Sequence, residues 1–454
     1  MDVNGRGALR GIDAPPAGEP MVAYDDVPLR LFHLRVAAAS TGGVFSDGFG
    51  LGIIGISLSF AAAPLQLTPS WIGLLGGGSL AGLFLGALVT GPLADQFGRR
   101  PIFAYNMGLL GALSILQFFA ATAAQLLVLR LLIGLLLGTD YVVSKALLTE
   151  YTPRAFRGRI LSLLSVAWAG GYAVAFFVGS ALTTVGVDAW RWMLLTSAAP
   201  CLLILPLRVT LPESPPWLAG HGQEGRAAGI VRATLGASVT PPPATPPVTR
   251  GHGRWRQLAS PAWRRRTLVA CAFFTCQVIP YFAVGTFVAR VMSALDVQGA
   301  YAGGRVYNLS LLIGAVVGLN VVDRVSRRSF LIGSFALAAA AMLALIVAQD
   351  LPPAVIVALF AIFAVVLSAA SNLVYVYLPE LFPTDLRASG IGLAIAASRI
   401  GSAVSTFLLP VVVAGFGVRA ALAACVAVLV LGAVVCQAWA PETRHARLDV
   451  LGAG

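Results

Sequence analysis

Five charged side chains sit inside stretches apolar enough to cross a bilayer: Asp47, Arg130, Asp140, Lys145 and Arg399. Burying each costs on the order of 2.5–3.5 kcal/mol on insertion scales, so an intramembrane charge is a functional candidate by default. Counted at about 1.5 Å per residue, Asp47 and Arg399 fall roughly 16 Å into their spans, near the midplane. Asp140 is expected slightly to the cytoplasmic side of it, Lys145 lower, and Arg130 nearer the outside. A midplane acid whose partner changes between two states can take up and release a proton. Asp47 is the expected proton carrier, held near Arg130, with Asp140 the next candidate. Arg399 offers different chemistry, because its planar fork can hold a carboxylate through two parallel hydrogen bonds. Lys145 adds a less directional attraction. Three cations against two acids leave the set positive, and more so once Asp47 is protonated, so a bound anion brings the cavity closer to neutral. Tyr141, Trp168, Tyr172, Gln277 and Tyr281 fall at mid-span positions from which they can line that cavity, with Tyr141 or Trp168 placed to stack on an aromatic acid. The competing reading is structural: Asp47–Arg130 and Asp140–Lys145 as buried ion pairs, Arg399 pairing with Asp140 or with backbone carbonyls, and the aromatic residues as packing.

Other chemistries fall away on composition. Lys145 is the only lysine among 31 basic residues and follows no glycine-rich loop, so a nucleotide-binding phosphate cradle is not expected and transport energy must come from a gradient or a partner. The four histidines, His33, His221, His252 and His445, fall in polar segments, so neither a metal site nor a cofactor is expected. Cys201, Cys271, Cys276, Cys425 and Cys436 lie in apolar segments without paired spacing and read as small packing residues. An enzyme is not expected.

The elements that must hold these residues are membrane helices. The 454-residue chain is 58% apolar and 11% charged, far from a soluble average, and its mean hydropathy is +0.84. Twelve apolar stretches of spanning length follow one another, at about 36–60, 71–91, 102–122, 125–149, 160–184, 190–210, 267–290, 300–322, 329–348, 352–377, 388–412 and 414–438. The expected fold is an all-α membrane protein of two six-helix bundles, 36–210 and 267–440. These are flanked by tails 1–35 and 441–454 and joined by a polar linker, 211–266. The first 30 residues lack the basic-then-apolar order of a cleavable signal. Within the linker, 224–235 can form a short surface helix, and the prolines at 241–243, 246 and 247 cannot continue one.

The net charge of +12 is explained by its placement. With the amino terminus inside, 24 arginines face the cytoplasm, Arg208 of the linker's start among them, against Arg191, Arg290, Arg305 and Arg419 outside. That is the positive-inside pattern of a multi-pass plasma-membrane protein with both termini cytoplasmic, and it leaves nothing for a nucleic-acid partner to explain. The halves also repeat. Glu150-x-x-Pro153-x-x-x-Arg157 recurs 230 residues later as Glu380-x-x-Pro383-x-x-x-Arg387, and Asp95 with Arg99 and Arg100 recurs 228 later as Asp323 with Arg327 and Arg328. Two bundles built from one unit can rock about a midplane site.

The loop after the second span reads Gly91-Pro92-Leu93-Ala94-Asp95-Gln96-Phe97-Gly98-Arg99-Arg100, and here the sequence resembles the major facilitator superfamily. Arg130-x-x-x-Gly134-x-x-x-Gly138, Glu150 to Gly158, Pro212-Glu213-Ser214-Pro215-Pro216-Trp217-Leu218 and Pro441-Glu442-Thr443-Arg444 resemble the sugar-porter branch. Asp47-Gly48-Phe49-Gly50 and Asp140-Tyr141 resemble the metabolite and organic-acid proton symporters. The chain departs from these patterns at Gly50, where many relatives have a second acid, at Pro216 in place of Arg, and at Lys145. The helix-5 pattern of drug antiporters is absent. The resemblance implies alternating access, with the Asp95 loop as a latch whose acid pairs with arginines across the bundle interface.

Together these readings lead to a secondary transporter in the lipid bilayer, with protons and a small organic metabolite, an organic or aromatic acid before others, as its partners. The alternatives are a sugar-type uniporter or symporter, a proton-driven exporter, and a transporter-like sensor that binds a ligand without moving it.

Overall fold

A computed structural model describes residues 21–243, 253–322, 324–347, 351–382 and 384–443. The first half of the chain comprises α1 (Leu31–Ala61), α2 (Pro69–Phe97), α3 (Arg99–Leu116), α4 (Ala123–Tyr151), α5 (Arg157–Ala181), α6 (Ala189–Thr196) and α7 (Ala198–Val209). Three short helices follow, α8 (Pro215–Gly220), α9 (Glu224–Leu235) and α10 (Gly253–Leu258). The second half comprises α11 (Arg264–Thr286), α12 (Val288–Ser293), α13 (Ala300–Val321), α14 (Arg327–Val347), α15 (Pro353–Ala370), α16 (Leu373–Glu380), α17 (Thr384–Phe416) and α18 (Val418–Trp439). Among the described residues, twelve segments are long and apolar enough to cross a membrane, and they overlap the twelve apolar stretches of the sequence in order.

Local chemistry fixes the helix ends. At the start of α4, the Thr122 hydroxyl accepts from Gln125 N at 3.2 Å while the Gln125 side chain accepts from Thr122 N at 3.3 Å, a reciprocal cap that satisfies two otherwise orphaned donors. Between α2 and α3, Gly98 adopts φ +96°, a conformation that favours glycine, and the chain reverses there. The Arg130-x-x-x-Gly134-x-x-x-Gly138 pattern is a packing stripe. A Cβ on Gly134 would lie 2.2 Å from Ser79 O, and one on Gly138 2.2 Å from Leu83 O, so α4 lies directly on the backbone of α2.

Three spans read as single helices from hydropathy are broken. The sixth turns at Ser197 between α6 and α7, the seventh at Phe287 between α11 and α12, and the tenth at Ser371 and Asn372 between α15 and α16. In the last of these, Asn372 Nδ2 donates to Ala369 O at the break and to Ala315 O of α13, both at 3.2 Å, and so satisfies one loosened carbonyl and ties the break to its neighbour. Hydropathy averages over a window and does not register a single interrupted turn. The described part of the linker carries structure: α9 occupies the expected 224–235, and Val22–Ala23 (β1) pairs in parallel with Val239–Thr240 (β2), a two-stranded exception among otherwise helical described residues.

The two halves meet mainly through α2 against α17 and α5 against α13, with α1 reaching α11 and α12. The tight approaches lie at the end remote from the arginine-rich loops. A Cβ on Gly55 would fall 1.5 Å from Thr286 O, one on Gly73 2.2 Å from Phe407 O, and one on Gly304 2.3 Å from the Phe176 ring.

Candidate functional site

Between the halves lies a cavity of about 90 Å³, at the interface between bundles where transporter sites are built. Asp47 of α1, Tyr141 and Lys145 of α4 and Trp168 of α5 line it from one half; Gln277 and Tyr281 of α11 and Arg399 of α17 line it from the other. Residues up to 352 positions apart in sequence, from Asp47 to Arg399, thus meet at one place, as expected of a site at the bundle interface.

Its electrostatics are uneven. Both Asp47 carboxylate oxygens are buried without a hydrogen-bond partner. On the opposite wall Arg399 is 7% exposed, its Nε has no partner, and among the described residues no carboxylate meets it. Its guanidinium stands 5.2 Å from the Tyr141 ring centre, 5.8 Å from Phe274 and 5.9 Å from Phe282. Lys145 Nζ lies 3.4 Å from the same Tyr141 ring centre, so one aromatic face is shared by two cations. Trp168 stacks on Tyr172 at 5.2 Å and approaches Tyr281 at 5.8 Å. Gln277 donates from Nε2 to Leu367 O at 3.2 Å, which leaves its buried Oε1 without a donor. The cavity is therefore a slot with aromatic walls and two cations gathered on the Tyr141 ring, with an acid and an amide oxygen buried in its lining without partners.

Two expected pairings are not present. Arg130 does not meet Asp47: both of its terminal nitrogens donate to Gly50 O, at 3.2 and 3.3 Å, and it lies outside the cavity lining. Gly50 has no side chain, so the guanidinium reaches the backbone carbonyl directly, and Asp47, three residues earlier, faces elsewhere. Asp140 does not meet Lys145 either. It is closed off from the cavity lining and pairs with Arg208 of α7, a residue the sequence reading assigned to the cytoplasmic surface. A buried acid demands a partner, and that was the signal available for Arg208, which ends an apolar run at Leu207-Arg208-Val209.

The repeated motifs form matching networks at the arginine-rich end. In the first half Arg99 pairs with Glu150 at 3.3 Å, and Glu213 accepts from the backbone of Arg99 and Arg100 at the start of α3. In the second half Arg327 pairs with Glu380 at 3.7 Å, and Glu442 accepts from the backbone of Arg327 and Arg328. Gly98 leaves the room that Glu213 uses, since a Cβ there would lie 2.4 Å from its carboxylate. Glu213 and Glu442, quoted only as parts of motifs in the sequence, act as helix-start anions. Arg157 pairs with Asp25 at 2.9 Å, and Gly91 lies within α2. Asp323 is outside the described residues, as are the side chains of Asp95 and Arg387, so the expected Asp95 latch pairing falls there too.

Comparison with known proteins agrees with this architecture. The chain is 41% identical over 433 residues to the inner membrane metabolite transport protein YgcS of Escherichia coli, covering 95% of this chain and 96% of that one. It is 27% identical over 383 residues to the niacin transporter NiaP of Acinetobacter baylyi, covering 83% and 86%. The partially occluded inward-open structure of the xylose transporter XylE from E. coli superposes with a TM-score of 0.77 at 20% identity, over 92% of this chain and 100% of that one. Residues 37–451 match the family described as sugar (and other) transporter, and with two helical halves closing on a central cavity the chain belongs to that family of major facilitator transporters.

Proposed function

We propose that this transporter carries a small organic anion, an aromatic or heteroaromatic monocarboxylate first among them, into the cell across the bacterial inner membrane together with a proton. The observation that carries the reading is the Arg399 and Lys145 pair on the aromatic walls of the cavity, with no described carboxylate on Arg399. A carboxylate is the ligand that such a fork and such a positive field hold best. Asp47, buried and unpartnered on the facing helix, is the proton carrier of this reading. The similarity to a protein named as a niacin transporter supports an acid of this size. The arginine-rich end, with both chain termini, faces the cytoplasm, and the joining of the halves at the remote end supports a form open to that side.

The test is a binding panel on purified protein in detergent, with nicotinate, benzoate, glucose and xylose as probes and thermal stabilisation as the readout. Stabilisation by the acids and not by the sugars is expected. Stabilisation by the sugars alone would favour the sugar-type reading, which Gln277 and the Ser165, Ser368 and Ser371 lining would then serve.

A further inference from the structure

Arg208 and Asp140 share the most saturated polar contact beside the cavity, both side chains being fully closed off from the surface. Every guanidinium N–H has an acceptor: Nε donates to Ala39 O at 3.1 Å, Nη1 to Phe103 O at 3.4 Å and to Asp140, and Nη2 to Asp140 at 3.0 Å and Ser144 Oγ at 3.1 Å. Ser144 in turn donates to Asp140 Oδ2 at 2.9 Å. Asp47, one helical turn along α1 from Gly43, has neither oxygen in a hydrogen bond, and Asp140 and Arg208 are its charged neighbours. Gly43 is the residue of α1 at the level of the ion pair. A Cβ there would lie 1.4 Å from Arg208 Nη2 and 2.9 Å from Asp140 Oδ2, so the guanidinium occupies the space that any side chain at 43 would take.

Two buried acids therefore stand beside one buried guanidinium, and one cation cannot neutralise both, while a buried charge without a partner costs several kcal/mol. The titratable groups around them are few: Cys201 on α7, with Tyr141, Lys145 and Arg399 lining the same cavity as Asp47. We propose that Arg208 is a shared counter-ion that passes from Asp140 to Asp47 through the gap left by Gly43 when Asp47 releases its proton, and returns when Asp47 takes one up. The proton leaves the Asp47 carboxyl for water in the open cavity, the O–H electron pair stays on the carboxylate, and Asp140 keeps Ser144 as its donor. Arg208 and Asp140 are positioning residues acting through Asp47. This rests on the reading of Asp47 as proton carrier.

Dicyclohexylcarbodiimide tests it without a transport substrate, since the reagent modifies a protonated carboxyl in an apolar site and spares a carboxylate. The full chain in detergent is labelled, and the peptide containing Asp47 is read by mass spectrometry. Asp47 should be labelled near neutral pH in the wild type. In Asp140→Asn, Arg208 is released to Asp47 and labelling there should fall about tenfold, the equivalent of one unit of displaced titration. Adding Arg208→Gln to that variant should restore it. A merely structural ion pair would leave Asp47 labelling alike in all three proteins, and that result would overturn the proposal. Should Asp140→Asn fail to fold, the neutral double variant decides alone: raising the pH to about 9 should strip the label from wild type and not from the double variant, because only the wild type offers the buried carboxylate a guanidinium. Coincident pH profiles would overturn the proposal. Absence of label on Asp47 in wild type at every pH would instead refute the carrier reading on which it rests.

Discussion

Arg399 provides the sharpest perturbation of the cavity. In the structure its guanidinium is 7% exposed, ringed by Tyr141, Phe274 and Phe282 at 5.2 to 5.9 Å, and meets no described carboxylate. An incoming carboxylate would therefore complete it rather than compete for it. Arg399→Lys keeps the charge and loses the fork, so one of two charge-assisted hydrogen bonds goes, about 1.5–2 kcal/mol or roughly ten- to thirtyfold in affinity. Arg399→Gln leaves the desolvated carboxylate facing Lys145 alone, and the loss should reach about 3–5 kcal/mol, at least a hundredfold. Isothermal titration of nicotinate and benzoate into the three proteins reads both steps, and thermal unfolding without ligand checks that all three fold. The graded order, wild type above Lys above Gln, is the signature of a bidentate anchor. Wild-type affinity in Arg399→Gln would refute the reasoning and leave Arg399 a packing residue of α17.

Asp47→Asn should abolish accumulation of the acid against its gradient while counterflow exchange continues, because the amide keeps the shape of the site and cannot carry a proton; persistence of uphill accumulation would move the coupling site to Asp140. Gly134→Val places a side chain where a Cβ would already be 2.2 Å from Ser79 O, so α4 and α2 must part, at about 1–3 kcal/mol or more. Its melting temperature in detergent should drop by several degrees, whereas Gly333→Ala, with open space around its Cβ, should not change it. Cysteines introduced at Gln66 and Ser238 report orientation: an impermeant maleimide added to intact cells should modify the first and reach the second only after lysis.

The twelve spans, the repeat and the cavity lining were legible in the sequence because each follows from a one-dimensional signal: apolar length, recurrence near 230 residues, and charge within apolar runs. Asp47, Lys145 and Arg399 were found in that way, whereas the Gly134 pattern was read only as a motif resembling the sugar-porter branch and its packing role came from the structure. The partners were not legible. Arg208 is the penultimate residue of its helix at the polar border, where a cation normally marks topology, and only the packing of α7 against α1 and α3 turns it inward to an acid 68 positions away. Arg130 was misassigned for the converse reason, since a sequence cannot show that a guanidinium will choose the carbonyl of Gly50 over a nearby carboxylate. The breaks at Ser197, Phe287 and Asn372 escaped because side-chain donors and neighbouring helices, which no hydropathy window contains, compensate the interrupted backbone.

The central claim is that the cavity couples entry of an organic acid to a proton, and reconstituted uptake tests it most directly. Purified protein in liposomes, given radiolabelled nicotinate outside and an inward-directed proton gradient, should concentrate the label inside, and a protonophore should collapse the accumulation to the equilibrium level. Equal uptake with and without the gradient would contradict the account, as would transport of xylose in place of the acid.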